Sequence, residues 1–159
     1  MRHPRKRSAD STPPDAAALR RKAIGLLARR EYARAELRHK LSATGAGSTD
    51  VEKVLDELAV AGYQSDARYA RAITMRERGR RSRRGIAATL QSQAIDPAAI
   101  AAAMDEAGID DQAALAALWE RRYGCAPADE REKARQVRFL MARGFALSSI
   151  LALLKAKSR

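Results

Sequence analysis

The side chains best suited to chemistry in this sequence are six arginines within nine residues, in the stretch RERGRRSRR. Only one acid, Glu77, lies among them, so the stretch has a formal charge of +5. Charge at this density repels itself and is not buried, so we expect it at the surface, facing a polyanion or a strongly acidic partner. The planar guanidinium group suits paired hydrogen bonds to phosphate or carboxylate. The predicted binding residues are Arg76, Arg78, Arg80, Arg81, Arg83 and Arg84.

Patterns typical of enzymes and metal sites do not occur in the sequence. His3, His39 and Cys125 lack metal-ligand spacing. The glycine pair Gly79 and Gly85 lacks the Lys-Ser/Thr that completes a phosphate-binding P-loop, and there is no G-x-S-x-G motif. We therefore expect a protein that is not an enzyme and uses no cofactor and no metal.

The overall charge favours nucleic acid, or a protein coated on it, as the partner. Thirty-one basic residues against 19 acids give a net charge of +12. A single cysteine excludes an intramolecular disulfide, in keeping with a reducing compartment. The basic N-terminus has no apolar stretch typical of a secretory signal, and the longest largely apolar run, 145–154, is about half the roughly 20 residues of a membrane span. We expect a soluble cytoplasmic protein.

Composition and helix signals predict an all-α fold. Aromatic residues make up only 4% of the chain, and runs of β-branched residues are missing. Thr49 followed by Glu52 predicts a capping box, and Gly79 and Ser82 predict that the arginines straddle the junction of two helices. The other predicted starts are Asp15, Ala33, Ser65, Asp96 with Pro97, Asp110, Ala128 and Leu147.

Apolar positions recur at intervals of 49 and 50 residues. The recurring sets are Leu41, Leu90 and Leu140, then Val51, Ile100 and Ile150, then Leu55, Met104 and Leu154. This period predicts three tandem three-helix repeats forming an elongated, curved molecule. We number them repeat 1 (15–63), repeat 2 (64–109) and repeat 3 (110–159), after a disordered basic tail (1–14).

Several blocks resemble the RecX family of bacterial RecA regulators. They are LLARREYARAELRHKL, VEKVLDELAVAGY, SDARYARA, GRRSRRGIAATLQSQAID, ALWERRYG and EKARQVRFLMARGFALSSILALL, which together span nearly everything after the tail. Three positions depart from the family pattern: Ala33 and Ala146 stand where a capping serine is common, and Ala94 replaces a glycine that ends a helix. A lost cap costs about 1 kcal/mol.

The resemblance implies three helical repeats that bind RecA filaments along their helical groove. It implies interference with recombinase and coprotease activities, either by blocking filament extension or by promoting disassembly. It also implies binding to single-stranded and double-stranded DNA. The family has no fixed catalytic motif, so the resemblance supplies no active-site residues.

The middle helices of the outer repeats carry basic residues at positions equivalent to the arginine cluster. These residues are Arg34 and Arg38 in repeat 1, and Arg131, Lys133, Arg135 and Arg138 in repeat 3. Together they could line a groove for the same partner, or they could be solvated faces paired in part with Glu36 and Glu132. Tyrosines 32, 63, 69 and 123 are expected as half-buried residues at repeat junctions, and Trp119 as core.

Three functions are compatible with the sequence. The first is a monomeric, non-enzymatic regulator that binds the RecA filament and DNA. The second is a stand-alone nucleic-acid-binding protein of the helix-turn-helix type, with Gln91 and Gln93 as the only amides near the cluster that could read adenine. The third is a helical adaptor whose charge only keeps it in solution.

Overall fold

Helices joined by short turns make up the fold. The computed structural model describes residues 14–158, so the predicted basic tail lies outside the described residues except for Pro14. These residues form nine α-helices and no strand, which confirms the prediction of an all-α fold built from three-helix repeats. The helices are α1 (Ala16–Leu27), α2 (Arg34–Ser42), α3 (Ser48–Val60), α4 (Asp66–Glu77), α5 (Arg83–Gln91), α6 (Pro97–Glu106), α7 (Asp111–Arg122), α8 (Glu130–Ala142) and α9 (Leu147–Lys157).

Most helices begin where short polar side chains predicted a start. Asp15 caps α1 through a 2.7 Å hydrogen bond from the Ala18 amide. Ser82 caps α5 in the same way. Asp96 caps α6, whose first residue is Pro97. These caps satisfy backbone donors that have no partner within the helix, so the start of each helix is encoded locally.

One turn recurs at the same position in all three repeats. Gly45, Ala94 and Gly144 follow the middle helices and have positive φ angles of 83°, 56° and 93°. Ala94 is the one non-glycine residue with positive φ within residues 14–158. The left-handed conformation costs a residue with a Cβ about 1–2 kcal/mol, so repeat 2 retains this turn in spite of its side chain.

Two predicted helix starts differ from the structure. The capping box at Thr49 and Glu52 is wrong, because α3 begins at Ser48 with Gly47 as its N-cap. The Glu52 carboxylate instead pairs with arginines of α2, which a reading of α3 alone does not reveal. Helix α8 begins at Glu130, two residues after the expected Ala128.

Each repeat has its own hydrophobic core. The three cores centre on Leu41, Leu90 and Leu140, all fully buried, and the other six recurring positions are also buried. Trp119 is core, as predicted, and its Nε1 donates to Oε1 of buried Gln136 at 2.9 Å. That the repeats divide at residues 63 and 109 stays a prediction.

Neighbouring repeats contact one another through short, specific bonds. Asp66, the first residue of α4, accepts a hydrogen bond from the Arg34 amide at 2.8 Å, and Ala33 packs into the core of repeat 2. Asp111, the first residue of α7, accepts from the Arg83 amide at 2.7 Å. Within residues 14–158, no helix combines the length and apolarity needed to cross a membrane.

Candidate nucleic-acid interface

The arginine cluster lies where α4 ends and α5 begins. The chain leaves α4 after Glu77 and turns at Gly79, which has a φ of +71°. Buried Ser82 then accepts a hydrogen bond from the Gly85 amide at 3.0 Å and starts α5. The cluster therefore straddles two helices, as predicted. Its members after α4 are Arg78, Arg80 and Arg81 in the loop, and Arg83 and Arg84 in the first turn of α5.

Half of the cluster already has carboxylate partners. Arg76 and Arg81 lie 3.1 and 3.5 Å from the two oxygens of Glu77, and Arg83 lies 2.9 Å from Asp105. The other three have no carboxylate partner within residues 14–158 and have exposed side chains. We call these three, Arg78, Arg80 and Arg84, the interface arginines. They are the members of the cluster whose charge is available to a partner.

The loop that carries the cluster packs against repeat 3. The Ser82 amide donates to the carbonyl of Arg143, in the α8–α9 turn, at 3.1 Å. A Cβ on Gly85 would lie 2.5 Å from the same carbonyl oxygen, and a Cβ on Gly144 would lie 2.5 Å from Ser82 Oγ. Arg121 of α7 donates to the Gly79 carbonyl at 3.0 Å. The absence of two side chains thus lets the loops meet and fixes the cluster at the junction of repeats 2 and 3.

A groove of about 400 Å³ runs beside this junction, between α5 and the end of α8. Arg81 and Arg84 line it together with Gly144 and Met141, whose side chain is 46% exposed. Because two arginines line the groove together with apolar and small residues, it offers positive charge to an anion and apolar contact to the molecule that carries the anion.

The two candidate arginines of repeat 1 are engaged within the repeat. Arg34 lies 2.8 Å from Glu52 and 2.7 Å from Asp56, and Arg38 pairs with Glu52 as well. The hydrogen bonds from Arg38 and then Arg34 lower the pKa of Glu52 from 4.5 to about 2. That these arginines bind DNA or filament stays a prediction, and such binding would compete with two carboxylates.

The candidates of repeat 3 lie on α8 and are less firmly paired. Lys133 is 3.3 Å from Glu130, and Arg135 is 3.4 Å from Glu132. Both pairs lie within one helix at the surface, where such pairs contribute about 0–1 kcal/mol. Arg138 and Arg131 are exposed and have no carboxylate partner within the described chain. Their role in binding stays a prediction.

Three further arginines near the junction are not among the predicted binding residues. Arg121 reaches the cluster loop, and the guanidinium carbons of Arg122 and Arg143 lie 5.4 and 5.1 Å from the ring centre of Phe139. Tyr123 packs edge-on against the same ring at 5.8 Å. Of these three, Arg143 could have been found from the sequence, because it directly precedes a glycine that ends a helix, as Arg78 of the cluster does.

The arrangement is suited to binding anions. Across residues 14–158 there is no group of three or more His, Cys, Asp or Glu side chains that could hold a metal ion. The interface arginines and their neighbours instead present fixed positive charge with guanidinium donors, the chemistry that phosphate and acidic protein surfaces require.

Two family models match the chain, and so do whole proteins and solved structures. The model described as the first three-helix domain of RecX matches residues 20–58, and the third matches residues 110–154. The solved structure of RecX from Lactobacillus salivarius covers 89% of this chain and 97% of its own, with a TM-score of 0.63 and 18% identity. Another solved regulatory protein RecX has a TM-score of 0.64 and 19% identity, covering 89% of this chain and 73% of its own. At these identities, the two structures support the fold alone.

The relatives similar in sequence are named regulatory protein RecX. The one from Pseudomonas savastanoi pv. phaseolicola is 40% identical over 142 residues, which is 88% of this chain and 92% of that protein. The one from Ralstonia nicotianae is 35% identical over 133 residues, 84% of each chain. Identity of this size over nearly the full length, together with the matched three-helix domains, shows that the chain belongs to the RecX family.

Proposed function

We propose that this protein is a non-enzymatic regulator that binds RecA nucleoprotein filaments, and the DNA within them, and chiefly inhibits recombinase and coprotease activity. The observation that carries the proposal is the set of interface arginines, exposed and without carboxylate partners in the described chain, at the junction of repeats 2 and 3. Family membership supports RecA as the partner. We further propose that the protein acts in the cytoplasm as a monomer.

The positions of the charges support contact with a phosphate backbone rather than with single bases. Arginines contact phosphate without regard to sequence, and backbone contacts set the position of a protein on nucleic acid. The two amides that could read adenine, Gln91 and Gln93, lie at and beyond the end of α5, two turns from the arginines at its start. Filament binding that does not depend on DNA sequence follows from this arrangement.

The arrangement of the repeats also supports a long partner. Every extensive helix–helix contact in residues 14–158 lies within one repeat, so the repeats follow one another in series. A series of repeats presents an extended surface that suits a filament better than a small molecule. Inhibition would follow because a protein held along the filament covers surface that added RecA subunits or target proteins need.

The proposal is tested by RecA-dependent ATP hydrolysis and strand exchange at ratios below one protein per filament subunit. We expect inhibition by the wild type at low salt. Replacing the interface arginines with glutamine should weaken inhibition strongly while leaving helicity unchanged. A matched control replaces Arg21, Lys22 and Arg29 of repeat 1, exposed and outside the proposed surface, with glutamine and should inhibit like the wild type.

Two results would contradict the proposal. The first is a wild type that leaves RecA activity unchanged at low salt. The second is equal weakening by the control variant, which would mean that only net charge matters. A footprint on free DNA with a clear sequence preference would favour a stand-alone helix-turn-helix protein instead.

A further inference from the structure

The three repeats differ in one ion pair between their middle and third helices. In repeat 1, Arg34 pairs with Asp56 at 2.7 Å, and 49 residues later Arg83 pairs with Asp105 at 2.9 Å. The same interval of 50 residues that relates Leu90 to Leu140 places Lys133 and Lys155 at these positions in repeat 3. The acid of the pair has become a lysine, so repeat 3 has two cations where the earlier repeats have a closed pair.

The start of the middle helix, where this ion pair lies, also binds an acid from the following repeat. We call this place the corner of the repeat. Asp66 binds the Arg34 amide, and Asp111 binds the Arg83 amide, both at the start of the middle helix. Each earlier repeat therefore holds carboxylates from two directions at this corner. In repeat 3, α8 begins one turn earlier, so the Lys133 amide already donates to the Asp129 carbonyl within the helix. The side chains of Lys133 and Lys155 are therefore the groups at this corner that can attract an acid.

An open cavity of about 580 Å³ marks this corner of repeat 3, between the start of α8 and α9. Its walls are Lys133, Lys155, Leu151, Leu154, Pro127, Ala128, Ser158, Asp129 and Glu130. Leu151 is 42% exposed, whereas the equivalent positions are Glu52 in repeat 1 and Ala101 in repeat 2. Leu147, one turn earlier on α9, is 46% exposed. The fold does not need these leucines, because two other repeats are built without them.

We infer that this corner, which we call the α8–α9 surface, docks an acidic segment of a protein partner. A carboxylate of that segment would lie between Lys133 and Lys155, and an apolar side chain beside it would cover Leu151. The carboxylate would bind at the start of α8, as those of Asp66 and Asp111 bind at the starts of α2 and α5. The pair of Lys133 with Glu130 is a weak obstacle, because the Glu130 side chain is 88% exposed.

The composition of the surface favours protein over nucleic acid. Asp129 and Glu130 balance the two lysines in the cavity, so it has no net charge to attract a phosphate backbone, in which every unit is charged, whereas a protein segment needs to bring only the one carboxylate that binds between the lysines. Exposed leucines next to a few charges are instead typical of protein contacts. This inference rests on the proposed function and deepens it: the α8–α9 surface would contact the protein subunits of the filament, and the interface arginines its DNA.

The test exchanges repeat 3 residues for those of repeat 2 at the same positions, Leu151→Ala with Lys155→Asp. Repeat 2 carries Ala101 and Asp105 there, so the fold is known to accommodate both side chains at this register. We expect binding to RecA filaments to weaken about tenfold, the loss typical of removing one well-placed contact at an interface. Affinity for free single-stranded DNA should stay unchanged. The control, Lys22→Asp, makes the same change in net charge on exposed α1.

The outcomes separate this inference from the proposed function. A wild type that does not bind RecA filaments overturns the proposed function and this inference with it. If the wild type binds and the double variant binds equally well, the inference alone is wrong. Equal losses on filament and on free DNA would also overturn it, because the surface would then contact phosphate. Circular dichroism checks that the double variant folds. If it does not, Lys155→Asp alone, at an exposed position, should weaken filament binding and leave binding to free DNA unchanged.

Discussion

Substitution of Gly144 by alanine should destabilise the protein by an amount that measures the contact between repeats 2 and 3. Gly144 has a φ of +93°, and the left-handed region costs alanine about 1–2 kcal/mol. The new Cβ would also lie 2.5 Å from Ser82 Oγ and 2.7 Å from the Gly85 Cα, and such overpacking typically costs about 1–3 kcal/mol. The expected loss in the free energy of unfolding is therefore about 2–5 kcal/mol.

The chain contains the control for this experiment. Gly45 occupies the same turn in repeat 1, with a φ of +83°, and a Cβ there would meet nothing within 4 Å. Gly45→Ala should therefore cost only the backbone term, about 1–2 kcal/mol. Urea unfolding followed by circular dichroism compares the two variants, and fluorescence of Trp119, the only tryptophan, reports on repeat 3. Equal losses for both variants would refute the claim that the two loops pack against each other.

Three further predictions concern single groups. The carboxyl of Glu52 should titrate near pH 2 by NMR, and Arg38→Gln should move its pKa towards 4.5. Because folding lowers this pKa, the stability that the pairs contribute is present above pH 4.5 and is lost as the pH falls towards 2. An ordinary pKa for Glu52 in the wild type would contradict the pairing. Thr74 is fully buried, and its Oγ1 has no hydrogen-bond partner within the described chain. Thr74→Val should therefore raise the free energy of unfolding, measured by urea titration, by about 1 kcal/mol. A lower free energy of unfolding would show that the hydroxyl is hydrogen-bonded. Replacing the interface arginines with glutamine should reduce the slope of log affinity against log salt on single-stranded DNA by about 2, at roughly 0.7 per phosphate contact, and an unchanged slope would exclude them from phosphate contact.

The features that could be predicted from the sequence are those encoded by neighbouring residues. Ser82 and Asp96 cap helices with their own side chains, so the start of a helix can be recognised within four residues. The interval from Leu41 to Leu90 indicates a repeat because the same core is built again. The family resemblance, rather than any local pattern, places Ala94 where a glycine is common, and Ala94 adopts the conformation that this glycine would have.

The features that could not be predicted depend on how helices distant in sequence lie against one another. Arg34 and Arg38 resembled members of a binding surface, but the packing of α3 on α2 brings Glu52 to both of them. The capping box is wrong because α3 begins at Ser48 with Gly47 as its N-cap, and the Glu52 carboxylate pairs with arginines of α2 instead. Likewise, no local pattern indicates that the Ser82 amide finds its acceptor on Arg143, 61 residues further along the chain. Where charge remains available is thus decided by tertiary packing.

The three middle helices place different charges at their first turns, and this difference bears on where a polyanion binds. A helix N-terminus is positive, so acids there stabilise the helix and cations destabilise it, by about 0.3–1 kcal/mol each. Helix α2 has Glu36 in its first turn, and α8 has Glu130 and Glu132, whereas α5 has no acid and begins with Arg83 and Arg84. Asp105 pairs with Arg83 and Asp111 accepts a hydrogen bond from the Arg83 amide, but Arg84 has no carboxylate partner within residues 14–158, so the positive start of α5 repels its charge. A phosphate bound there would relieve the repulsion, so the free energy that α5 gives up in the unbound protein would be regained on binding, and a polyanion should stabilise repeat 2 more than either neighbour.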